Sequence, residues 1–415
     1  MPSALQVFRE IFSTADFVFD NQESAREHAN TLGASSLGEF VGARKNHFPV
    51  RERRPSVARL SRSLLIDPAE NGIYHCIERC VRRAFLCGDD PVTGRNFDHR
   101  KGLLQDRLEF LAGVMAIDLV GFAVMDNHAH VVVRNRPDKV VLMSDEEVAR
   151  RWWDLCPGRK DATGKPLPPE PHELKMLMSD SSRLSVYRVR LSSISWLMRF
   201  LAEYVARKAN REDGCTGRFW EGRFKCQRLL DEAAVLACSL YVDLNPIRAG
   251  IAETPEGSPF TSAFERIRTL QSLKDAEECV SATVDVTAVS ANKSRKQWLC
   301  PVFLGTRHAD MDGEDASKDA ASRGFLPMTL EQYLVLLDAT GRELRRDKRG
   351  VIPADCSPIL ERLGLSPSNW LSFVDNFGRW FHHAAGSPEN MSEEAERRGC
   401  RWVAGVSRSR EAYAA

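Results

Sequence analysis

The sequence predicts an α+β protein: an antiparallel sheet backed by helices and followed by a helical C-terminal part. Three observations carry that reading. A helix-spaced set of leucines follows a β-rich run; two almost continuously apolar runs come next with only Asp126 and Asn127 between them; helical spacing then returns before another β-rich run and a last helix.

Residues 1 to about 45 mix charged and apolar positions without a clear period and read as an N-terminal extension. The run GIYHCIERCV (72–81) is rich in β-formers and is expected to be a strand. Across 99–116, Leu103, Leu104, Leu108, Leu111 and Met115 recur at steps of three and four residues, which gathers them on one stripe of a helix. IDLVGFAVM (117–125) and HAHVVVR (128–134) suit strands covered by another layer. The two residues between them tolerate positive φ, so a tight antiparallel hairpin is expected.

Residues from about 138 to 190 hold helix-like pieces such as EEVARRWWDL and a Pro- and Gly-rich stretch, PGRKDATGKPLPPEP, that suits no regular element. This segment reads as an insertion. ISWLMRFLAEYVARKAN (194–210) regains the helical period, and GRFWEGRFKC (217–226) reads as a strand interrupted by glycine. A further helix is expected from Asp231, as N-cap, to about Leu244, where Asn245-Pro246 ends it.

In order, these pieces give β-α-β-β-α-β plus one helix. That is the ferredoxin-like plan, an antiparallel sheet with helices on one face and the other face free for a site. The unit spans 46–252. Residues 253–325 are weakly patterned, and 305–324 is polar enough for a flexible linker. A helical C-terminal domain is expected over 326–415, built on YLVLLDATGREL (333–344), PILERLGL (358–365) and NWLSFVDNFGRWF (369–381), and its residues assign it no role.

The 415 residues exceed the usual size of one domain, and 43% hydrophobic with 28% charged residues is ordinary for a globular protein. A net charge of +1 supplies no overall field for a polyanion, so attraction to nucleic acid must be local. Two stretches are locally basic. Residues 42–63 carry Arg44, Lys45, Arg51, Arg53, Arg54, Arg59 and Arg62 against Glu52, and 199–228 carries eight basic residues against four acidic ones. Eleven cysteines without a CxxC pair point to reduced thiols and no zinc site. With no apolar run of spanning length and no signal-peptide layout, a cytoplasmic protein off the membrane is expected.

Residues two apart on a strand face the same side, so His128 and His130 present two imidazoles together, an arrangement suited to a shared metal. Tyr241 and Asn245 are four apart on the last helix and share a face. If that helix packs beside the open sheet face, Asn245 can add an oxygen ligand while the Tyr241 phenol points at the same centre. Each pair alone is a weak signal, since a chance HxH and a helix-ending Asn-Pro are both common.

Taken together, MDNHAHVVV (125–133), GRFWEGRFK (217–225) and YVDLNPIRAG (241–250), in this order after YHCIERC (74–80), resemble the IS200-like tyrosine transposases and their REP-associated relatives. These are HUH single-strand nucleases, where U is a hydrophobic residue. The resemblance covers residues 55 to 252 without the insertion. It implies that His128 and His130 bind a divalent metal, that Tyr241 is the nucleophile and that Asn245 completes the metal site. Two departures stand out: Asp126 occupies a position where proline is common, and the central hydrophobic residue is the small Ala129.

The resemblance further implies single-stranded DNA carrying a hairpin or inverted repeat as partner, a 5′-phosphotyrosine link with a free 3′-OH, and association with the nucleoid. Two imidazoles and an amide oxygen suit Mn²⁺ and accept Mg²⁺, so Mg²⁺ is expected with Mn²⁺ able to substitute. Because the imidazoles must be neutral to ligate, activity is expected to fall below about pH 6. Arg218, Arg223, Lys225, Arg228 and Arg248 are candidate phosphate contacts, Phe219 and Trp220 candidate base-stacking rings, and the basic stretch from Arg44 to Arg62 a candidate arm for a hairpin. Monomer and homodimer both stay open. Two rival classes are a histidine phosphoesterase, whose HxHxH run fails here at Val132, and a ferredoxin-like nucleic-acid-binding module without catalysis.

Overall fold

The computed structural model describes residues 61–81, 87–88, 94–282, 298–303, 324–344 and 367–413. The N-terminal extension, the basic residues from Arg44 to Arg59 and the segment PILERLGL lie outside the described residues. After a single-turn helix α1 (Arg62–Leu65), strands β1 (Ile73–Arg79), β2 (Ile117–Val124), β3 (His128–Asn135) and β4 (Lys225–Leu229) form an antiparallel sheet in the order β2-β3-β1-β4. Helix α2 (His99–Val114) joins β1 to β2. The insertion carries α3 (Pro137–Leu142), α4 (Asp145–Leu155), α5 (Pro171–Ser179) and α6 (Ser181–Leu191), and α7 (Ile194–Glu212) leads to β4. The β-α-β-β-α-β order and its split pairing are those expected.

The period of two along each strand sorts the sheet into two faces. Tyr74, Cys76, Phe122, Val131 and Val133 pack with Leu104, Leu108 and Leu111 of α2 and with Leu197, Leu201 and Val205 of α7. On the opposite face Val120, Ala123, Val132 and Leu229 join a second core. Each fully buried Leu, Val or Phe side chain contributes about 1.5–3 kcal/mol to holding these layers together.

That second core covers a face expected to be free. It contains α8 (Glu232–Asp243), a one-turn α9 (Asn245–Arg248), Ala263 at the start of α10 (Ser262–Ala282), α11 (Leu330–Leu344) and α12 (Pro367–Trp380). The physical reason lies in α8, where Ala233, Val235, Leu236, Ala237, Leu240 and Val242 are all buried. A helix apolar on every side needs cover on both the sheet side and the outer side, and the C-terminal helices supply the outer cover. The C-terminal part also extends the sheet: β5 (Ala384–Ala385) adds in parallel to the β4 edge, and α13 (Pro388–Arg397) and α14 (Val406–Ala412) follow.

Three local expectations are corrected. The β4 ladder begins at Lys225, not at Gly217, because Gly217 sits at φ 112° and residues 217–224 run as a loop that touches the sheet through a bridge from Trp220 to Cys80. The hairpin closes with Met125 N–H donating to the His128 carbonyl at 2.8 Å, yet neither Asp126 nor Asn127 takes positive φ. The described residues of the segment 253–325 are more ordered than its composition suggests, since they include α10 and a bridge from Leu299 to Leu119. A buried carboxylate anchors this region: Asp243 accepts from Ala263 N–H at 3.0 Å, from the Ser262 hydroxyl and from the Tyr333 hydroxyl at 2.6 Å. The insertion is tied to α7 by Trp152, whose ring stacks on Tyr187 with centroids 4.3 Å apart and meets Trp196 edge-on at 5.7 Å.

Candidate active site

Strand alternation puts His128 and His130 on the face of β3 toward α8, with ring centroids 4.8 Å apart. Helix α8 is set by its N-cap, as the Asp231 carboxylate accepts from Ala234 N–H at 2.8 Å. The same carboxylate receives Ser387 N–H at 2.6 Å and the Tyr413 hydroxyl at 2.7 Å, which ties the C-terminal part to the start of this helix. At its far end Tyr241 and Asn245 stand on successive turns. Pro246 has no N–H to lose and fits the first turn of α9.

The two predicted pairs meet. Asn245 Nδ2 lies 3.0 Å from His130 Nε2, and the Asn245 amide favours the charged form of the Tyr241 phenol. The Tyr241 ring approaches His130 edge-on with centroids 5.7 Å apart. Arg248 stands beside them, its guanidinium 4.9 Å from the Tyr241 ring centroid while it donates to the Asp375 carboxylate and carbonyl at 2.8 Å.

A third imidazole was not foreseen. His75 of β1 lies directly opposite Val132 in the ladder, stacks on His130 with centroids 5.1 Å apart, and places Nε2 2.8 Å from His130 Nδ1. The residue missing from an HxHxH run is thus replaced in space by a histidine from the neighbouring strand. Gln227 of β4 completes the row, with Oε1 3.3 Å from His75 Nδ1. Alternation along IYHCIER puts His75 on one face with Ile73 and Ile77, but no local pattern gives the pairing register that aligns it with β3. Also unforeseen were Asp375, Phe377 and Gly378 of α12, which border Tyr241 and Arg248.

Burial dominates the electrostatics. It lowers His75 to about 4 and His128 to about 3, where Arg79, Lys225 and His75 push in the same direction, and it holds His130 well below its ordinary value. The three rings are therefore neutral at pH 7, the state in which imidazole ligates a metal. Burial raises the Tyr241 phenol, with the Arg248 charge working against it, so the hydroxyl keeps its proton at neutral pH.

Among the described residues no group of three or more His, Cys, Asp and Glu has a metal-holding arrangement, and the polar group nearest the imidazoles that could add an oxygen is the Asn245 amide. Two adjacent ligands of a six-coordinate cation, each about 2.1 Å away, are about 3.0 Å apart. The 3.0 Å between Asn245 and His130 Nε2 matches that edge once the amide turns its oxygen inward. His130 and Asn245, with the His128 ring beside them, are a donor set whose chemistry suits a small hard cation completed by oxygen ligands from solvent or substrate.

The other predicted contacts divide. Arg218 and Arg223 of the loop and Lys225 at the start of β4 are exposed. Phe219 and Trp220 are buried in the α2 and α7 core, where Trp220 Nε1 donates to the Ala202 carbonyl at 2.8 Å, so neither offers a face for a base. Arg228 lies on the sheet face away from the histidines and bridges Glu70 and Glu394 at 3.4 Å each, so it serves an internal ion pair. Arg62 of the basic stretch lies over the Phe224 ring at 3.5 Å and donates to its carbonyl. A groove of about 800 Å³ lined by Asn376, Arg379 and Arg408 contains none of the residues around Tyr241.

No protein-family model matches this chain, and no curated protein does. Among solved structures, the chain is similar to a REP-associated tyrosine transposase bound to a REP hairpin, at 13% identity and a TM-score of 0.27, over 47% of this chain and 78% of that one. Similarity at this level carries no argument about function, which rests on the geometry above. Among the described residues no helix is long and apolar enough to cross a membrane.

Proposed function

We propose that this chain is a metal-dependent nuclease and strand transferase for single-stranded DNA, in which Tyr241 attacks a phosphodiester near a hairpin. The observation that carries the reading is that both members of one pair reach His130 of the other: Asn245 Nδ2 lies 3.0 Å from its Nε2, and the Tyr241 ring meets it edge-on with centroids 5.7 Å apart. A tyrosine, two neutral imidazoles and an amide converge here from motifs more than 100 residues apart in sequence.

His128, His130 and the Asn245 oxygen would hold Mg²⁺, with Mn²⁺ able to replace it. When bound, such a cation polarises the scissile phosphate and offsets the charge that develops on it. Tyr241 loses its proton and forms a P–O bond while the bond to the 3′ oxygen breaks; that oxygen leaves as a 3′-OH after taking up a proton. One phosphoester replaces another, so attack by a second 3′-OH rejoins strands without an external energy source. Arg248, over the Tyr241 ring, favours the phenolate electrostatically and lies within reach of a phosphate bound there. Arg218, Arg223 and Lys225 would track the DNA backbone.

The test is incubation of labelled hairpin-bearing single-stranded DNA with Mn²⁺, followed by denaturation. A covalent protein–DNA adduct is expected with the native chain and none with Tyr241→Phe. Adduct formation by Tyr241→Phe would refute the assignment. DNA binding by native protein with no adduct under any metal would favour a hairpin-binding module without catalysis.

A further inference from the structure

His75 and Gln227 take no part in the chemistry proposed above, yet both are buried against it, at 2% and 4% exposure. They begin a continuous row of polar contacts. Gln227 Oε1 is 3.3 Å from His75 Nδ1, His75 Nε2 is 2.8 Å from His130 Nδ1, and His130 Nε2 is 3.0 Å from Asn245 Nδ2. A neutral imidazole carries one ring proton, so each ring donates at one nitrogen and accepts at the other. The row therefore has a direction.

An amide oxygen only accepts, so Gln227 Oε1 takes the proton of His75 Nδ1–H. His75 Nε2 is then an acceptor, and His130 must donate to it from Nδ1. The His130 lone pair is left on Nε2, on the side of Asn245 and Tyr241. Asn245, donating through Nδ2 into that lone pair, agrees with the same direction from the opposite end of the row. With His130 at 2% exposure, water does not compete for these nitrogens.

The choice of glutamine is itself informative. Gln227 Nε2 is buried and has no hydrogen-bond partner among the described residues. A leucine of similar volume would remove that orphaned donor but strand the His75 Nδ1–H, so the glutamine present serves the ring of His75 at the cost of its own unmatched Nε2.

We propose that His75 and Gln227 are positioning residues that lock His130 in its Nδ1–H form and so hold the Nε2 lone pair toward Asn245 and Tyr241. The inference rests on the reading of His130 as a working member of the site. Groups that accept the far ring proton of a ligating histidine set its tautomer and orientation, and their loss costs about 10- to 100-fold in metal affinity or activity.

The experiment uses the full chain labelled with ¹⁵N-histidine, observed by long-range ¹H–¹⁵N correlation, with the His130 signal assigned by its loss in His130→Gln. The native protein is expected to show His130 protonated at Nδ1. Gln227→Glu, whose carboxylate accepts the same proton, is expected to keep that form, whereas Gln227→Leu yields a mixture. In the Mn²⁺-dependent adduct assay, Gln227→Leu should lower kcat about 10-fold or more with KM for the DNA unchanged, and Gln227→Glu should restore it. A native His130 protonated at Nε2, or a tautomer unaffected by Gln227→Leu, overturns the proposal. Should Gln227→Leu fail to fold, the native and Gln227→Glu spectra still decide it. If the native tautomer is the one stated but no adduct ever forms, the nuclease reading fails and the positioning of His130 stands.

Discussion

Gly378 of α12 lies against Tyr241 of α8 with no room for a side chain: a β-carbon at 378 would fall 2.8 Å from the Tyr241 hydroxyl. The C-terminal helix thus shapes the space in which the proposed nucleophile sits, together with Phe377, whose ring centroid is 6.1 Å from that of Tyr241.

Gly378→Ala separates activity from stability. Within a helix the change from Gly to Ala favours folding by about 1 kcal/mol, and the group that must move is the far end of a tyrosine side chain. A displacement of about 1 Å at the nucleophile is expected to cost roughly 100-fold in rate. Thermal melting and the adduct assay check this together: unchanged or raised Tm with strongly reduced adduct is expected, and full activity would mean that Tyr241 works from another position.

Glu78 sets an opposite kind of balance on the other face of the sheet. Burial raises its carboxyl to about 8, with Arg62 acting against the rise. A folded pKa above the unfolded value of about 4.5 means that this group's stabilising proton is fully held below pH 4.5 and lost as pH rises through 8, at up to about 1.4 kcal/mol per unit. Glu78→Gln should leave stability near pH 4.5 unchanged and raise it at pH 8. Denaturant midpoints at the two pH values measure the difference, and a gain of equal size at both would contradict it.

The site histidines run the other way. Their folded values, about 4 for His75 and about 3 for His128, lie below the unfolded 6.5, so the unfolded chain takes up protons first and stability falls as pH drops below 6.5. The loss of activity expected below about pH 6 from unperturbed histidines is therefore displaced. The rings stay neutral to well below pH 6, and acid inactivation is expected to follow unfolding. Adduct yield and circular dichroism recorded from pH 7 to 4.5, in the Glu78→Gln background to remove the opposing slope, should fall together. Activity lost with the fold intact would show titration of the ligands themselves.

Trp220→Ala is expected to act on the core and not on DNA. Removing a buried tryptophan costs about 3–5 kcal/mol, and the indole N–H bond to Ala202 goes with it. The dissociation constant for single-stranded DNA, corrected for the folded fraction, should be unchanged. Arg223→Ala, an exposed change in the same loop, should weaken binding and reduce its salt dependence, with a far smaller effect on stability than Trp220→Ala.

Much of the scaffold was legible because its signals are local. The apolar runs of β2 and β3 lie on either side of a two-residue hairpin, Asp231 caps α8, and the leucines of α2 face the sheet as their spacing requires. Phe219 and Trp220 misled because aromatic residues beside arginines look alike whether they stack on bases or fill a core. Burial is a property of what packs on them, and here that is α7. The cover over α8 was implied by its all-round apolar character, yet nothing in that helix named the C-terminal helices as the partner.

The sequence by itself determined which residues share a face: a period of two joins His128 to His130, and a period of 3.6 joins Tyr241 to Asn245. Those are properties of a single element and need no knowledge of its neighbours. Only the tertiary structure decided that the two faces meet through the Asn245 amide, that the register of β1 on β3 brings His75 to His130, and that α12 closes over Tyr241. Register and layer packing are set by contacts between residues far apart in the chain, and no local pattern encodes them.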